Sequence, residues 1–217
     1  MDRRPLKTRD KAASHAVAGW LAARGVTPNA ISWSSLVFGI AAGAAFAATA
    51  HLPEGARLLW FLGALCVQLR LAANMLDGMV AVATGAASPL GELFNEIPDR
   101  VTDAATLVGL GYAAMSDPTL GWGAACLAVF IAYVRAEGKV AGAHSEFCGP
   151  MAKPHRMAAV TVGALYLALA PAAWQPVLAA TGWGVPALVL ALILLGGVVT
   201  VYRRLARITA VLKGKPL

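Results

Sequence analysis

The stretch from residue 74 to residue 103 reads NMLDGMVAVATGAASPLGELFNEIPDRVTD, an acidic cluster in an otherwise apolar chain. The whole sequence of 217 residues has only eleven acidic residues. Ionisable residues in apolar surroundings are functional candidates because burying a charge is costly. Five of the eleven lie in this stretch, namely Asp77, Glu92, Glu96, Asp99 and Asp103.

The composition around this stretch is that of a membrane protein. Hydrophobic residues make up 59% of the chain and charged residues 13%, whereas about a quarter of residues are charged in soluble domains. An apolar segment of about 20 residues can cross a bilayer as a helix. The sequence therefore predicts one all-α integral membrane domain over residues 1–217, with six transmembrane helices. They are expected at roughly 29–50, 57–83, 89–115, 119–143, 156–179 and 184–205.

The N-terminal segment, residues 1–26, differs from the six predicted spans. Within residues 9–24, Val17, Trp20 and Leu21 fall on one helical face, and basic residues fall toward the other. An amphipathic helix with this pattern lies in the membrane interface and does not cross the bilayer. We therefore expect an interfacial helix before the first span.

The basic residues predict the orientation in the membrane. Six Lys and Arg residues precede the first span, and five lie at or beyond the end of the last. The positive-inside rule then places both termini, including the tail at residues 206–217, in the cytoplasm together with the acidic stretch. Anionic membrane lipids account for the net charge of +7, so nucleic acid is not an expected partner.

Polar and small side chains line one face of each helix in the acidic stretch, since residues three or four apart share a face. Oxygen ligands from two adjacent helices suit a hard cation such as Mg²⁺, which commonly takes further oxygens from a substrate phosphate. An alternative is a purely structural ion-pair network in which Arg70, Arg100 and Arg135 neutralise the carboxylates. The two faces comprise Asn74, Asp77, Gly78 and Ala81 on the second span, and Gly91, Asn95, Asp99 and Asp103 on the third.

The spacing of these residues resembles the signature of the CDP-alcohol phosphotransferases, D-x2-D-G-x2-A-R-x8-G-x3-D-x3-D. Asn74 and Asn95 take the places of two aspartates, and Val82 takes the place of the arginine. The similarity extends to GVTPNAIS at residues 25–32 and AYVRAEGKVAG at residues 132–142, so it covers nearly the whole chain. The pattern is matched without a gap at Asp77, Gly78, Ala81, Gly91 and Asp99.

The resemblance implies an enzyme of phospholipid synthesis. It would transfer a phosphatidyl group from CDP-diacylglycerol to an alcohol acceptor and release CMP. In the family, the first three signature acids hold Mg²⁺ or Mn²⁺ with the diphosphate, and the fourth is the general base, a role that falls to Asp99 here. Family members are often homodimers. Metal ligands would be Asn74, Asp77, Asn95 and, one turn beyond the signature, Asp103; the nucleotide and diphosphate would contact Asn29, Gly78, Ala81 and Gly91.

The departures from the signature change the charge of the site. Two asparagines lower the formal charge of the four signature positions from −4 to −2. We therefore expect one divalent ion, or weaker metal binding. Val82 removes a cation that family members place near the nucleotide.

A second group of basic residues precedes the fifth predicted span. Arginine suits bidentate contacts to phosphate, so this group predicts a pocket for a phosphorylated acceptor. Ordinary positive-inside residues are the alternative interpretation, especially for Lys139 and Lys153. The group consists of Arg135, Lys139, Lys153 and Arg156.

Three other functions remain open from the sequence. A relative within the family could use diacylglycerol as acceptor and a CDP-linked small alcohol as donor. A catalytically silent relative would bind a CDP-lipid without turnover; the two asparagines leave this interpretation open, although their paired change suggests a retuned site. A small transporter would use its acids to bind a coupling ion, but the chain lacks the internal repeats that such folds often show.

Overall fold

The computed structural model describes residues 12–85 and 89–214, apart from the side chains of residues 89–92, 94 and 95. Within these ranges the fold is all-helical, as predicted, with short 3₁₀ turns at Pro53–Gly55 and Ala172–Trp174. The α-helices are α1 (Ala12–Ala23), α2 (Pro28–Ala48), α3 (Ala56–Ala83), α4 (Pro89–Gly111), α5 (Pro118–Val140), α6 (Lys153–Leu169) and α7 (Val185–Leu212).

Four helices in the described part of the chain are long and apolar enough to cross a membrane. They are α2, α3 with the turn before it, α5 and α7, which makes this a helical membrane protein. The helix α6 is short, with 17 residues, and α4 carries the charges of the acidic stretch. The predicted count of six spans therefore stays a prediction for these two helices.

Three helix ends differ from the predicted spans. The helix α4 ends at Gly111, and Met115 in the following turn has a φ of 58°. The helix α6 ends at Leu169, well before the predicted residue 179, because Pro171 lacks an amide hydrogen and disfavours helical backbone before it. The helix α7 instead continues to Leu212, beyond the predicted residue 205, because residues 206–213 contain no proline or glycine that would end it.

The interfacial helix was expected before the first span, and α1 lies there. Ala18 is buried against α3, where it packs in a cluster with Ala73 and Met79. Val17 and Trp20 are exposed, and Leu21 of the same predicted apolar face packs inward. The face is therefore divided between the protein and its surroundings, and its location in the membrane interface stays a prediction.

The helices α2 and α4 approach each other closely beside the acidic stretch. A Cβ atom at Gly43 would collide with the backbone of Ala105, and one at Gly109 would collide with the backbone of Gly43. A Cβ atom at Gly39 would collide with the side chain of Thr102. Small residues let helix backbones meet at such distances. Because Thr102 lies on the turn between Asp99 and Asp103, this contact holds that turn of α4 against α2.

Candidate active site

The acidic stretch forms the C-terminal half of α3 and the N-terminal half of α4. Its three carboxylates that the structure describes as buried are Asp77, Asp99 and Asp103, with exposures of 3%, 9% and 1%. They lie where α3 and α4 meet α2 and the start of α6. Buried charges require partners, so the partner of each carboxylate is informative.

The carboxylate of Asp77 faces α2. Its Oδ2 accepts a hydrogen bond of 2.8 Å from Ser32 Oγ. Asp77 also lies close enough to Asp99 and Lys153 to interact with both electrostatically. The two signature aspartates of this chain thus converge from neighbouring helices.

Asn74 connects these two helices to α2. Its side-chain nitrogen donates to Asp99 Oδ1, and its oxygen accepts from Ser35 Oγ. The amide both donates and accepts here, whereas an ionised aspartate would only accept and would repel Asp99. The asparagine in the first signature position of this chain therefore has a structural role, which is to join Ser35 of α2 to Asp99 of α4.

The carboxylate of Asp99 is surrounded by cations. Lys153 Nζ is 2.5 Å from Oδ2. Arg70 Nη2 is 3.7 Å from Oδ1, and Arg100 Nη2 is 3.8 Å from Oδ2. With the amide of Asn74 on Oδ1, both oxygens of Asp99 have protein partners.

Asp103 forms a buried triad with two arginines. Arg70 Nη2 is 2.5 Å from Oδ1, and Arg156 Nη2 is 2.7 Å from Oδ2. The side chains are 0–2% exposed. The same Arg70 nitrogen is 3.5 Å from the backbone oxygen of Asp99. The triad therefore joins α3, α4 and α6 directly beneath Asp99.

The four predicted phosphate-binding cations have different environments. Lys153 pairs with Asp99 and Arg156 with Asp103, while Arg135 donates to Glu96. Lys139, on the last turn of α5, is exposed. Arg135 and Lys153 have side-chain exposures of 24% and 20%, in contrast to 2% for Arg156. An incoming anion can therefore reach Arg135, Lys139 and Lys153 but not the buried Arg156.

The predicted nucleotide contacts are partly described. Asn29 lines a small cleft of about 30 Å³ together with Ser32, Trp33 and Pro98. Gly78 and Ala81 are half-buried on α3. The side-chain surroundings of Gly91 and Asn95, both in α4, lie outside the described residues.

Sequence analysis did not identify Ser35, which donates a hydrogen bond to the side-chain oxygen of Asn74. It also did not single out the buried Arg204 of α7, which donates to the backbone oxygens of Ile131 and Cys148. Arg70 was considered only as a counter-ion, without its link to Asp103. A signal for the serines was present, because Ser32, Ser35 and Gly39 are spaced by three and four and share a face of α2.

The oxygen atoms at this place suit a single divalent ion. No group of three His, Cys, Asp or Glu side chains with metal-binding arrangement occurs among the residues that the structure describes. The carboxylates of Asp77 and Asp99 and the amide of Asn74 are nevertheless hard oxygen donors, which Mg²⁺ and Mn²⁺ prefer.

Comparison with known proteins identifies the family. The phosphatidylinositol phosphate synthase of Mycobacteroides abscessus is 31% identical over 160 residues, which cover 69% of this chain and 67% of that protein. The chain belongs to the CDP-alcohol phosphotransferase family. This agrees with the spaced signature at residues 74–99, although no protein-family profile matches the chain.

Solved structures share the fold of this CDP-alcohol phosphotransferase. One structure of the phosphatidylinositol phosphate synthase of Mycobacterium tuberculosis, in complex with manganese and citrate, has a TM-score of 0.72 at 21% identity. The matched region covers 90% of this chain and 88% of the chain in that structure. A second structure of the same protein, with CDP-diacylglycerol bound, has a TM-score of 0.73 at 20% identity. The matched region covers 91% of this chain and 94% of the chain in that structure.

Proposed function

We propose that this protein transfers the phosphatidyl group of CDP-diacylglycerol to an alcohol acceptor and releases CMP. The convergence of Asp77 and Asp99 at the junction of α2, α3 and α4 carries this proposal. It is supported by the similarity to a phosphatidylinositol phosphate synthase and to a structure with CDP-diacylglycerol bound.

One Mg²⁺ or Mn²⁺ ion completes the proposed site, with Asp77 and the amide oxygens of Asn74 and Asn95 as its protein ligands. A structure similar to this chain contains manganese. When bound, the ion would neutralise the diphosphate and the charge that develops on the leaving CMP. Asp103 is left out of the ligand set, because both of its oxygens accept from arginines.

Asp99 is the proposed general base. In the reaction it takes the proton of the acceptor hydroxyl on Oδ2, and the acceptor oxygen bonds to the phosphorus next to the lipid. The bond from that phosphorus to the oxygen of CMP breaks. A base must lie within hydrogen-bond reach of the hydroxyl, so Lys153 has to give up part of its contact with Oδ2 when the acceptor binds.

The acceptor proposed here carries a phosphate or another anionic group. Arg135, Lys139 and Lys153 form the accessible basic rim on the Asp99 side of the site. Arg156 orients the start of α6 through Asp103 and does not contact the acceptor directly. We place this site at the cytoplasmic face of the bacterial inner membrane, with both termini on that side and six spans in a chain that forms a homodimer.

Product analysis tests this function. Purified protein is incubated with CDP-diacylglycerol, Mg²⁺ or Mn²⁺ and a panel of alcohols and alcohol phosphates, and CMP and lipid products are identified by mass spectrometry. Formation of a phosphatidyl lipid together with released CMP supports the proposal. The Asp99→Asn variant is the negative control. Absence of CMP with every acceptor would favour a silent CDP-lipid-binding relative, which the paired basic residues and the two asparagines also suit.

A further inference from the structure

We propose that Lys153 is an internal counter-cation of Asp99, so that the chain binds one divalent ion next to Asp77 and none at Asp99. The inference rests on the proposed function, since it concerns the metal content of that site. Its first support is the 2.5 Å distance between Lys153 Nζ and Asp99 Oδ2, with side-chain exposures of 20% and 12%.

The charges of the buried cluster are balanced without any metal ion. The described residues contribute three carboxylates, Asp77, Asp99 and Asp103, and three cations, Arg70, Arg156 and Lys153. The diphosphate of a CDP-lipid adds about two negative charges, which one divalent ion neutralises. A second divalent ion would leave an excess of two positive charges in a poorly solvated site, which is unfavourable. Glu96, Arg100 and Arg135 border this cluster, with side-chain exposures of 43%, 23% and 24%, and together they add one more positive charge, which disfavours a second divalent ion further.

Lys153 is held in place for this role by its own helix. It is the first residue of α6, and Arg156 in the same turn is bound to Asp103 and to the backbone oxygen of Met151, at 2.7 and 2.8 Å. The buried triad thus fixes the start of α6 against α4, one turn from Asp99. The ammonium group is therefore held against Oδ2 of Asp99.

Asn74 occupies the other oxygen of Asp99. Its amide donates to Oδ1, while Lys153 occupies Oδ2. An ion at either oxygen of Asp99 would therefore have to compete with the donor on that oxygen. The carboxylate of Asp77 accepts a hydrogen bond of 2.8 Å from the neutral hydroxyl of Ser32, and a carboxylate has about four lone-pair sites in all.

Manganese binding tests the inference without relying on turnover. The number of Mn²⁺ ions bound per chain is measured by electron paramagnetic resonance of free Mn²⁺, on purified protein in nanodiscs with CDP present. Wild type is expected to bind one ion per chain. Lys153→Met is expected to bind a second ion, or to bind Mn²⁺ at least about tenfold more tightly, because a nearby positive charge has been removed. Lys153→Arg keeps the charge and is expected to resemble wild type.

Lys139→Met is the matched control, because it removes the same charge from an exposed position on α5. Its Mn²⁺ stoichiometry and affinity are expected to equal those of wild type. Two ions in wild type, no ion in wild type, or identical binding by wild type and Lys153→Met would each overturn the inference. Should Lys153→Met fail to fold, the wild-type stoichiometry still decides. Failure of the proposed function would give a different result, because CMP release would then be absent whatever number of Mn²⁺ ions is bound.

Discussion

Arg70 on α3 and Asp103 on α4 form an ion pair of 2.5 Å in which both side chains are excluded from solvent. Arg156 binds the second oxygen of Asp103 from α6. Three helices are therefore joined by one carboxylate, one turn away from the proposed general base. This arrangement gives a structural reason for the acidic residue one turn beyond the signature, and it leads to the first prediction.

Arg70→Met is expected to lower the stability of the folded protein strongly. Breaking a buried ion pair from one side costs about 3–5 kcal/mol, because the remaining charge loses a partner. Thermal unfolding in detergent, compared with wild type, measures the loss. Arg100→Met, at a side chain that is 23% exposed, is the control and is expected to cost about 1 kcal/mol or less. Equal losses in the two variants would contradict the structural importance of the triad.

Asp99→Asn is expected to reduce CMP release by about 10²-fold or more, because the variant cannot accept the proton of the acceptor. Stabilisation of the protein by CDP and Mn²⁺ is expected to be largely kept. Both are measured on the same preparation, by product analysis and by thermal shift. The control is Asp117→Asn at the exposed start of α5, where the side chain caps the helix far along the chain from the site. If Asp99→Asn retains turnover, Asp99 is not the base.

Asn74→Asp is expected to lower the melting temperature in the absence of metal. The new carboxylate cannot donate to Asp99, and two like charges then face each other. Added Mn²⁺ is expected to raise the melting temperature of this variant more than that of wild type.

Asn74→Ala separates the two effects in the Asn74 prediction. It removes the donor without adding a charge, so its melting temperature is expected to fall without a larger response to Mn²⁺. A response to Mn²⁺ that is the same in Asn74→Asp and wild type would exclude residue 74 from the ligands of the ion.

Gly43→Val is expected to disrupt the contact between α2 and α4 and to reduce activity with it. The added side chain would meet the backbone of Ala105, which cannot move aside as a flexible side chain would, so the cost is expected to be at least about 1–3 kcal/mol. Gly19→Ala, where no atom lies within 4 Å of the added Cβ, is the control. Monodispersity, melting temperature and CMP release measure the outcome. Normal folding of Gly43→Val would show that the two helices have more freedom than their packing indicates.

The sequence was sufficient for the class of protein. Hydropathy predicted a helical membrane protein, and helical periodicity predicted which polar residues of each helix share a face. The resemblance to a family signature predicted that Asp77 and Asp99 belong to one site, and the structure brings these two residues together through Asn74. Periodicity does not determine how one helix is positioned along another. The pairing of Arg70 with Asp103, 33 residues apart in sequence, therefore could not be deduced.

The interpretation of Asn74 changed for a similar reason. In the sequence it was a lost charge at a metal site, since a signature position predicts only the type of ligand. Its contacts with Ser35 and Asp99 depend on side chains from two other helices. The early end of α6 was not predicted, because the chain stays largely apolar up to residue 179 and hydropathy does not register the effect of Pro171 on the helix.

The amide of Asn74, shared between a serine of one helix and a carboxylate of another, has a consequence for the protein in the cell. With that bridge and the arginine triad in place, the bundle can assemble during a shortage of manganese or magnesium. Scarcity of these ions would then slow lipid output without depleting the pool of assembled enzyme, and resupply would restore synthesis without new translation.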